Sequence, residues 1–431
     1  MDKQYDRFIE TQIKDIFEEF PALAIDGLKA IGKTVSSKRI ARTVYELDRT
    51  RDLEFIENDI ERLSSDEKPV LIDEWKNVPS TWDYVRRAVD DGAPAGSYLL
   101  TGSTSDSDVN VHSGAGRILR LRMFPLSLAE RALVTPSVSL RTLLQSNTPF
   151  STHIQGESGL TFSDYIHEII SSGLPEIRQY SDARRPKMFK SYIDNMLSHE
   201  FKQQGVTIRQ PTTLRRWLTS YAAATATDAS YSEILDAGTA GISDKPAYKT
   251  TISYREALTN LWMLDEIPPW IEGENYFSRL KQTPKHYLAD PAISAHLLGL
   301  NTSILSGRDK VTNKIQTVFD KKYGSITGRL FESLMQLSLR VYAEANDAQL
   351  YFLRTYDGSH EIDFILQQDD KVIAIEVKLS ISITNEDVTH LQWLRSQMGE
   401  RLTDALIITT GPLAYRRSDG IIVVPAGLLT A

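Results

Sequence analysis

The run Gly27-Leu28-Lys29-Ala30-Ile31-Gly32-Lys33-Thr34 satisfies the spacing G-x-x-x-x-G-K-[ST] at every fixed position, and it constrains the chain more than any other feature. The two glycines permit a backbone turn that aims successive N–H groups inward at an anion. A helix that begins at the lysine adds the positive end of its dipole. Leu23-Ala24-Ile25 reads as a strand ahead of the loop and Lys33 to Arg42 as a helix behind it, which is the context such a loop requires. The expected cofactors are therefore ATP and Mg2+. Gly27, Gly32, Lys33 and Thr34 would surround the phosphates, with Lys33 bridging the β- and γ-phosphates and the Thr34 hydroxyl on the metal.

A loop of this kind needs a carboxylate partner. Val70-Leu71-Ile72-Asp73-Glu74 is an apolar strand ending in two acids. Asp73 would bind Mg2+ through water, and Glu74 would polarise the attacking water as general base. Tyr98-Leu99-Leu100 leads into Thr101-Gly102-Ser103, which puts Ser103 at a polar tip beside the γ-phosphate. Arg117 follows Gly114-Ala115-Gly116, a flexible approach that would bring a guanidinium to the γ-phosphate from its own chain or from a neighbouring subunit. Arg120 and Arg122, alternating with apolar residues from 118 to 123, read as solvated strand-face residues.

A second chemistry sits near the end of the chain. Glu361 to Leu366 and Val372 to Lys378 read as two strands joined by a turn. Period 2 places Glu376 and Lys378 on one face, and the hairpin carries Asp363 toward Glu376. Glu332, on a helix that opens this block, adds a further carboxylate. The order helix-Glu, strand-Asp, strand-Glu-x-Lys is that of metal-dependent nucleases. Asp363, Glu376 and Glu332 would hold Mg2+ or Mn2+, and Lys378 would activate water or steady the reacting phosphate. The competing interpretation is a set of charges on the wet face of an edge hairpin.

Between the two sites, residues 141–160 read as a surface loop, and 163–171, 186–203, 213–225 and 250–263 carry helical spacing. Helices at 213–225, 231–237 and 250–263 followed by a hydrophobic segment at 264–271 suggest a winged helix. Lys249, Thr250, Ser253, Tyr254 and Arg255 would then meet nucleic acid. A connector whose polar residues face water fits equally well. The 431 residues carry a net charge of −8, which argues against coating DNA or RNA by bulk charge but leaves a local basic groove open. There is no cysteine, which excludes disulfides, thiolate zinc sites and cysteine nucleophiles and suits a cytoplasmic location. No apolar run reaches membrane-spanning length, and the first residues lack signal-peptide character, so no membrane partner is expected.

Several segments together resemble a known family. Besides the loop and Leu71-Ile72-Asp73-Glu74, Gly116-Arg117 runs into Phe124-Pro125-Leu126-Ser127-Leu128-Ala129-Glu130. Gly173-Leu174-Pro175-Glu176, Pro284-Lys285-His286-Tyr287-Leu288-Ala289-Asp290 and Gly328-Arg329-Leu330-Phe331-Glu332 follow. The chain is similar over nearly its whole length to prokaryotic AAA-type ATP-binding proteins with a C-terminal domain of unknown function 4143. Leu28-Lys29 stands where that family usually has Pro-Arg. The resemblance implies an α/β protein with four parts: a P-loop NTPase core of the additional-strand, catalytic-glutamate class (1–140), a lid-like helical connector (141–210), a winged-helix-like middle (211–300) and a restriction-endonuclease-like PD-(D/E)XK domain (301–431). The expected activity is Mg2+-dependent ATP hydrolysis coupled to a nuclease-like domain acting on DNA or RNA. The alternative is a nucleotide-dependent regulatory or scaffold protein that cuts nothing. A homo-oligomer is compatible with either.

Overall fold

The computed structural model describes residues 5–103, 114–201, 211–239, 248–271, 282–307 and 319–431. Five strands form the first sheet: β1 (Ala22–Asp26), β2 (Thr43–Glu46), β3 (Val70–Asp73), β4 (Tyr98–Gly102) and β5 (Leu119–Arg122). Their order is β2-β3-β4-β1-β5, and every pairing is parallel. β1, β3 and β4 are buried along their whole length, which is why they read as continuous apolar runs. Alternate residues serve opposite cores: Leu23 and Ile25 pack on one face, while Ala22 and Ala24 pack with Trp75 and Trp82 on the other. The helices around this sheet are α1 (Phe8–Ile16), α2 (Lys33–Lys38), α3 (Thr50–Asn58), α4 (Arg62–Ser65) and α5 (Ser80–Asp90). β4 lies between β1 and β3, so an additional strand separates the phosphate loop from the strand that ends in Asp73. Ligands of open parallel sheets bind at the edge where the strands end, and both elements open there.

The chain then departs from the surface loop expected at 141–160. β6 (Val138–Ser139) pairs with the last strand of the chain, and α6 (Leu140–Leu144) buries three leucines in the C-terminal core. β7 (Gln155–Glu157) joins the C-terminal sheet as an edge strand. A three-residue strand whose partner lies more than two hundred residues away leaves no period to read.

The helical middle comprises α7 (Phe162–Ser171), α8 (Pro175–Arg178), α9 (Arg185–Asn195) with a π-helical turn at Met196–Glu200, α10 (Pro211–Ala223), α11 (Tyr231–Thr239), α12 (Tyr248–Asn260), α13 (Pro291–Leu297) and α14 (Thr302–Leu305). Behind α12, Leu264 and Ile267 bridge antiparallel to Leu288 and Lys285, and His286 bridges to Thr227. Asp290 fastens this region: one carboxylate oxygen accepts from Ser172 Oγ (2.7 Å) and Gly173 N (2.6 Å), while the other caps α13 through Ala292 N (2.8 Å).

The last part begins with α15 (Asp320–Tyr323) and the 19-residue α16 (Ile326–Glu344). β8 (Gln349–Arg354), β9 (Glu361–Gln368), β10 (Lys371–Val377), α17 (Thr389–Met398), β11 (Leu402–Thr409), β12 (Leu413–Arg416) and β13 (Ile422–Pro425) follow, and β14 (Leu429–Thr430) is the strand that pairs with β6. The mixed sheet has the order β7-β12-β13-β11-β10-β9-β8, with α16 packed on one face and α17 on the other. The described residues form an α/β protein with a five-stranded parallel sheet, a seven-stranded mixed sheet, the small β6–β14 pair and a helical middle. No helix among the described residues is long and apolar enough to cross a membrane.

Candidate functional site

β1 hands over to the phosphate loop at Gly27, whose φ is 152°; a Cβ there would lie 2.3 Å from the Met123 carbonyl oxygen. Gly32 closes the loop at φ 98°, directly before α2. The helix is shorter than the expected 33–42 and ends at Lys38. Lys33 is buried, and its ammonium reaches back across the loop to the carbonyls of Gly27 (2.9 Å) and Leu28 (3.0 Å). Burial lowers its pKa to about 8, against the pull of Glu74, Asp26 and Asp73, which favour the charged form.

Thr34 Oγ1 donates to Asp73 Oδ1 at 2.8 Å, so the hydroxyl and carboxylate expected to share a metal are already adjacent. Thr101 Oγ1, at the tip of β4, also donates to Asp73 Oδ1, and Glu74 N donates to Thr101 Oγ1 at 3.3 Å. Burial raises the Asp73 pKa, with Thr101 and Thr34 opposing the shift. Glu74 is held in the left-handed region (φ 53°, ψ 48°), a strained conformation for a residue with a Cβ. Ser103 Oγ donates to Glu74 Oε2 at 3.3 Å, and burial raises the Glu74 pKa, with Lys33 opposing it. A raised pKa makes the carboxylate a stronger base toward water. The structure thus gathers Gly27, Gly32, Lys33, Thr34, Asp73, Glu74 and Ser103 on one sheet edge. Their donor set fits a polyphosphate and a hard divalent cation.

Arg117 is not part of this gathering. β5 begins at Leu119 opposite Leu23, whereas the phosphate loop follows Asp26 at the other end of β1. The Arg117 guanidinium pairs with Asp90, the last residue of α5, at 2.8 Å. It therefore lies at the edge where the strands begin and does not meet its own loop. Arg120 is exposed on the strand face, as its alternation suggests, whereas Arg122 is partly buried. Arg120 pairs with Asp26 at 2.9 Å and lies over the Trp82 ring, and Arg122 packs between Phe124 and Trp262 while pairing with Asp265 at 3.2 Å.

In the C-terminal part, Glu332, Asp363, Glu376 and Lys378 converge as expected, but the space among the carboxylates is filled from elsewhere. The buried Lys285 ammonium lies 2.9 Å from Glu332, 3.0 Å from Asp363 and 3.3 Å from Glu361. Tyr287 OH donates to Glu332 at 2.6 Å, Val377 N donates to Asp363 at 2.9 Å, and Lys378 lies 3.4 Å from Glu376. Burial alone would lower the Lys285 pKa, but Glu332 and Asp363 hold it well above the ordinary value. Burial and Asp363 push Glu332 up to about 7. Burial and the Asp363 charge also keep Glu376 protonated well above the usual carboxylate range. The described residues contain no group of histidines and carboxylates arranged to hold a metal ion. The Lys285 ammonium thus meets two of the three carboxylates expected to hold Mg2+ or Mn2+, Glu332 and Asp363, while Glu376 pairs with Lys378.

In the middle, Tyr254 is a core residue, and Arg255 stacks 4.2 Å over the Tyr231 ring. Thr250 and Ser253 are exposed, and the Lys249 side chain lies outside the described residues. Sequence reasoning overlooked Thr101 as a holder of Asp73, Lys285 and Tyr287 in the carboxylate cluster, and Arg7 behind the phosphate loop. Lys285 and Tyr287 fall in a segment that marks the family resemblance, yet no spacing in the sequence says which carboxylates they meet.

Residues 19–132 match the AAA domain family, residues 163–304 a domain of unknown function (DUF8612) and residues 327–429 a domain of unknown function (DUF4143). Two uncharacterized proteins, from Mycobacterium bovis and Mycobacterium tuberculosis, are each 22% identical over 417 residues, covering 94% of this chain and 80% of theirs. A Walker-type ATPase of Pyrococcus abyssi is similar at 13% identity and a TM-score of 0.39, covering 68% of this chain and 96% of that one. The chain therefore carries an AAA domain in its N-terminal part and a DUF4143 domain at its C-terminal end.

Proposed function

We propose that the chain binds Mg2+–ATP at the loop of residues 27–34 and hydrolyses it. The observation that supports this most is the contact of Thr34 Oγ1 with the Asp73 carboxylate, 2.8 Å apart, beside a buried Lys33. Thr34 and Asp73 would hold Mg2+, which when bound neutralises charge on the phosphates. Lys33 exchanges its two loop carbonyls for phosphate oxygens. Glu74 accepts a proton from the attacking water, and Ser103 holds the Glu74 carboxylate in place. Arg117 enters this chemistry only from a second subunit. Glu74→Gln is the test: it should bind ATP with near-parent affinity and turn over at least a hundredfold more slowly, a loss in the range that removal of a general base produces. Parent-rate hydrolysis by that variant would remove Glu74 from the mechanism.

For the C-terminal domain, the placement of Lys285 favours the regulatory or scaffold reading over the nuclease reading. A carboxylate set neutralised by an internal ammonium does not fit a metal cofactor, and no cleavage step is assigned to it. The winged-helix-like middle also offers little to DNA, since Tyr254 is core and Arg255 is committed to Tyr231. Coupling to nucleotide would run through α16, about 28 Å long at 1.5 Å per residue. Near its start Glu332 meets Lys285, and at its end Glu344 accepts from Arg122 N at 3.2 Å, on the strand beside β1. Incubation with plasmid and single-stranded nucleic acid plus Mn2+ separates the two readings. No product under any nucleotide condition fits the regulatory one; product that disappears in Lys378→Ala fits the nuclease.

A further inference from the structure

Arg7 lies ahead of α1, outside the residues matched to the AAA domain, and it is only 7% exposed. Its guanidinium joins three segments: Nη1 donates to the Ile31 carbonyl at 2.8 Å, Nη2 to the Phe124 carbonyl at 2.6 Å, and Nε to Glu130 Oε1 at 3.0 Å. Ile31 belongs to the phosphate loop itself. Glu130 is anchored in turn, because Phe8 N donates to the same oxygen at 3.1 Å and Ser127 N donates to the other at 2.8 Å. The same N-terminal segment grips the helix behind the loop, where Ser36 Oγ donates to Glu10 at 2.8 Å and Arg39 pairs with Glu10 at 2.9 Å.

A phosphate loop works only if its N–H groups face the anion; its carbonyls need other donors, and while Lys33 serves those of Gly27 and Leu28, that of Ile31 is served by Arg7. At Ile31 this demand is acute. Ala30 (φ 67°) and Gly32 (φ 98°) both occupy the left-handed region, so Ile31 is held between two residues in an uncommon backbone state. A single neutral donor would satisfy the carbonyl. The planar guanidinium does more, since it fixes the carbonyl relative to Phe124 and Glu130 in one plane.

We propose that Arg7 is a positioning residue for the nucleotide: from behind the loop it sets the Ile31 carbonyl, and so orders the N–H groups before the phosphates arrive. The inference rests on the ATP reading above. Arg7 is buried behind the loop and touches no phosphate, so its effect falls on binding through preorganisation and leaves the chemical step alone.

The test uses the full chain with Arg7→Lys and with Arg7→Ala combined with Glu130→Gln, which avoids leaving a buried carboxylate unpaired. Steady-state hydrolysis should show KM for ATP raised tenfold or more in the double variant, with kcat within twofold of the parent and part of the loss recovered in Arg7→Lys. Hydrogen exchange of residues 27–34 without nucleotide should be at least tenfold faster in the double variant. KM and loop exchange within twofold of the parent would overturn the inference, and so would a loss confined to kcat. If the double variant does not fold, Arg7→Lys decides: parent values in both measurements overturn the proposal. The exchange measurement needs no ATP, so it tests Arg7 even if the parent neither binds nor hydrolyses nucleotide, a result that would refute the ATP reading separately.

Discussion

Replacing Lys285 by methionine keeps most of the side-chain volume and removes one charge from a buried ion cluster. The ammonium meets Glu332, Asp363 and Glu361 at 2.9, 3.0 and 3.3 Å. Glu361 is 39% exposed and can turn to water, so the cost falls on Glu332 and Asp363. Removing one partner of a buried ion pair costs about 3–5 kcal/mol, because the remaining charge stays desolvated. The deficit should depend on pH. Glu332 already titrates at about 7 with the lysine in place, and without it both carboxyls move higher. The folded pKa of Glu332, already above its unfolded value, rises further, so the folded variant takes up a proton there and recovers stability as pH falls from 8 toward 5. Urea denaturation followed by tryptophan fluorescence, at pH 8 and pH 5.5, reads this directly. The expected deficit is about 3 kcal/mol or more at pH 8 and less than half of that at pH 5.5. Adding Asp363→Asn should restore much of the loss at pH 8. A deficit below about 1 kcal/mol at both pH values would refute the argument that the ammonium neutralises this cluster.

Three further outcomes follow from the nucleotide site. Because the Lys33 pKa is about 8 in the free protein and a bound polyphosphate holds the proton on, binding above pH 8 takes up a proton. ATP affinity should therefore fall by up to about tenfold per pH unit above 8, and a flat profile between pH 7 and 9.5 in calorimetry would contradict the placement of Lys33. Thr101→Val removes a donor to Asp73 and should lower turnover by roughly tenfold, in line with about 1.5–3 kcal/mol for a hydrogen bond to a charged group; unchanged kinetics at limiting Mg2+ would show that Thr101 does not hold the carboxylate. Arg117→Ala should leave ATP binding by the isolated chain unchanged, because Arg117 pairs with Asp90 at the far edge of the sheet. A tenfold loss of affinity would place it at the phosphates after all.

Much of this architecture was legible because its signals are local. The phosphate loop is a contiguous motif, and β1, β3 and β4 are apolar runs of the kind that a doubly covered parallel strand requires. Asp73 and Glu74 were found because their strand ends in the right place relative to that loop. Glu332, Asp363, Glu376 and Lys378 were found by order and period alone. What escaped was set by distant partners. β7 pairs with β12 across most of the chain, so Gln155–Glu157 carried no strand signal of its own. Arg122 looked solvated by alternation, and only the packing of the middle helices buries it against Asp265 and Trp262. Lys285 is 47 residues from Glu332 and 78 from Asp363, so nothing in its sequence surroundings reveals that it meets both carboxylates. Arg117 was misplaced because a flexible glycine-rich approach says nothing about which end of the sheet it reaches.

Titration calorimetry of the full chain with ATP in the presence of Mg2+, run beside Lys33→Ala, tests the central claim most directly. The account predicts one saturable site per chain in the parent and no measurable heat in the variant. Identical isotherms for the two proteins, or none for the parent, would mean that residues 27–34 do not cradle a triphosphate.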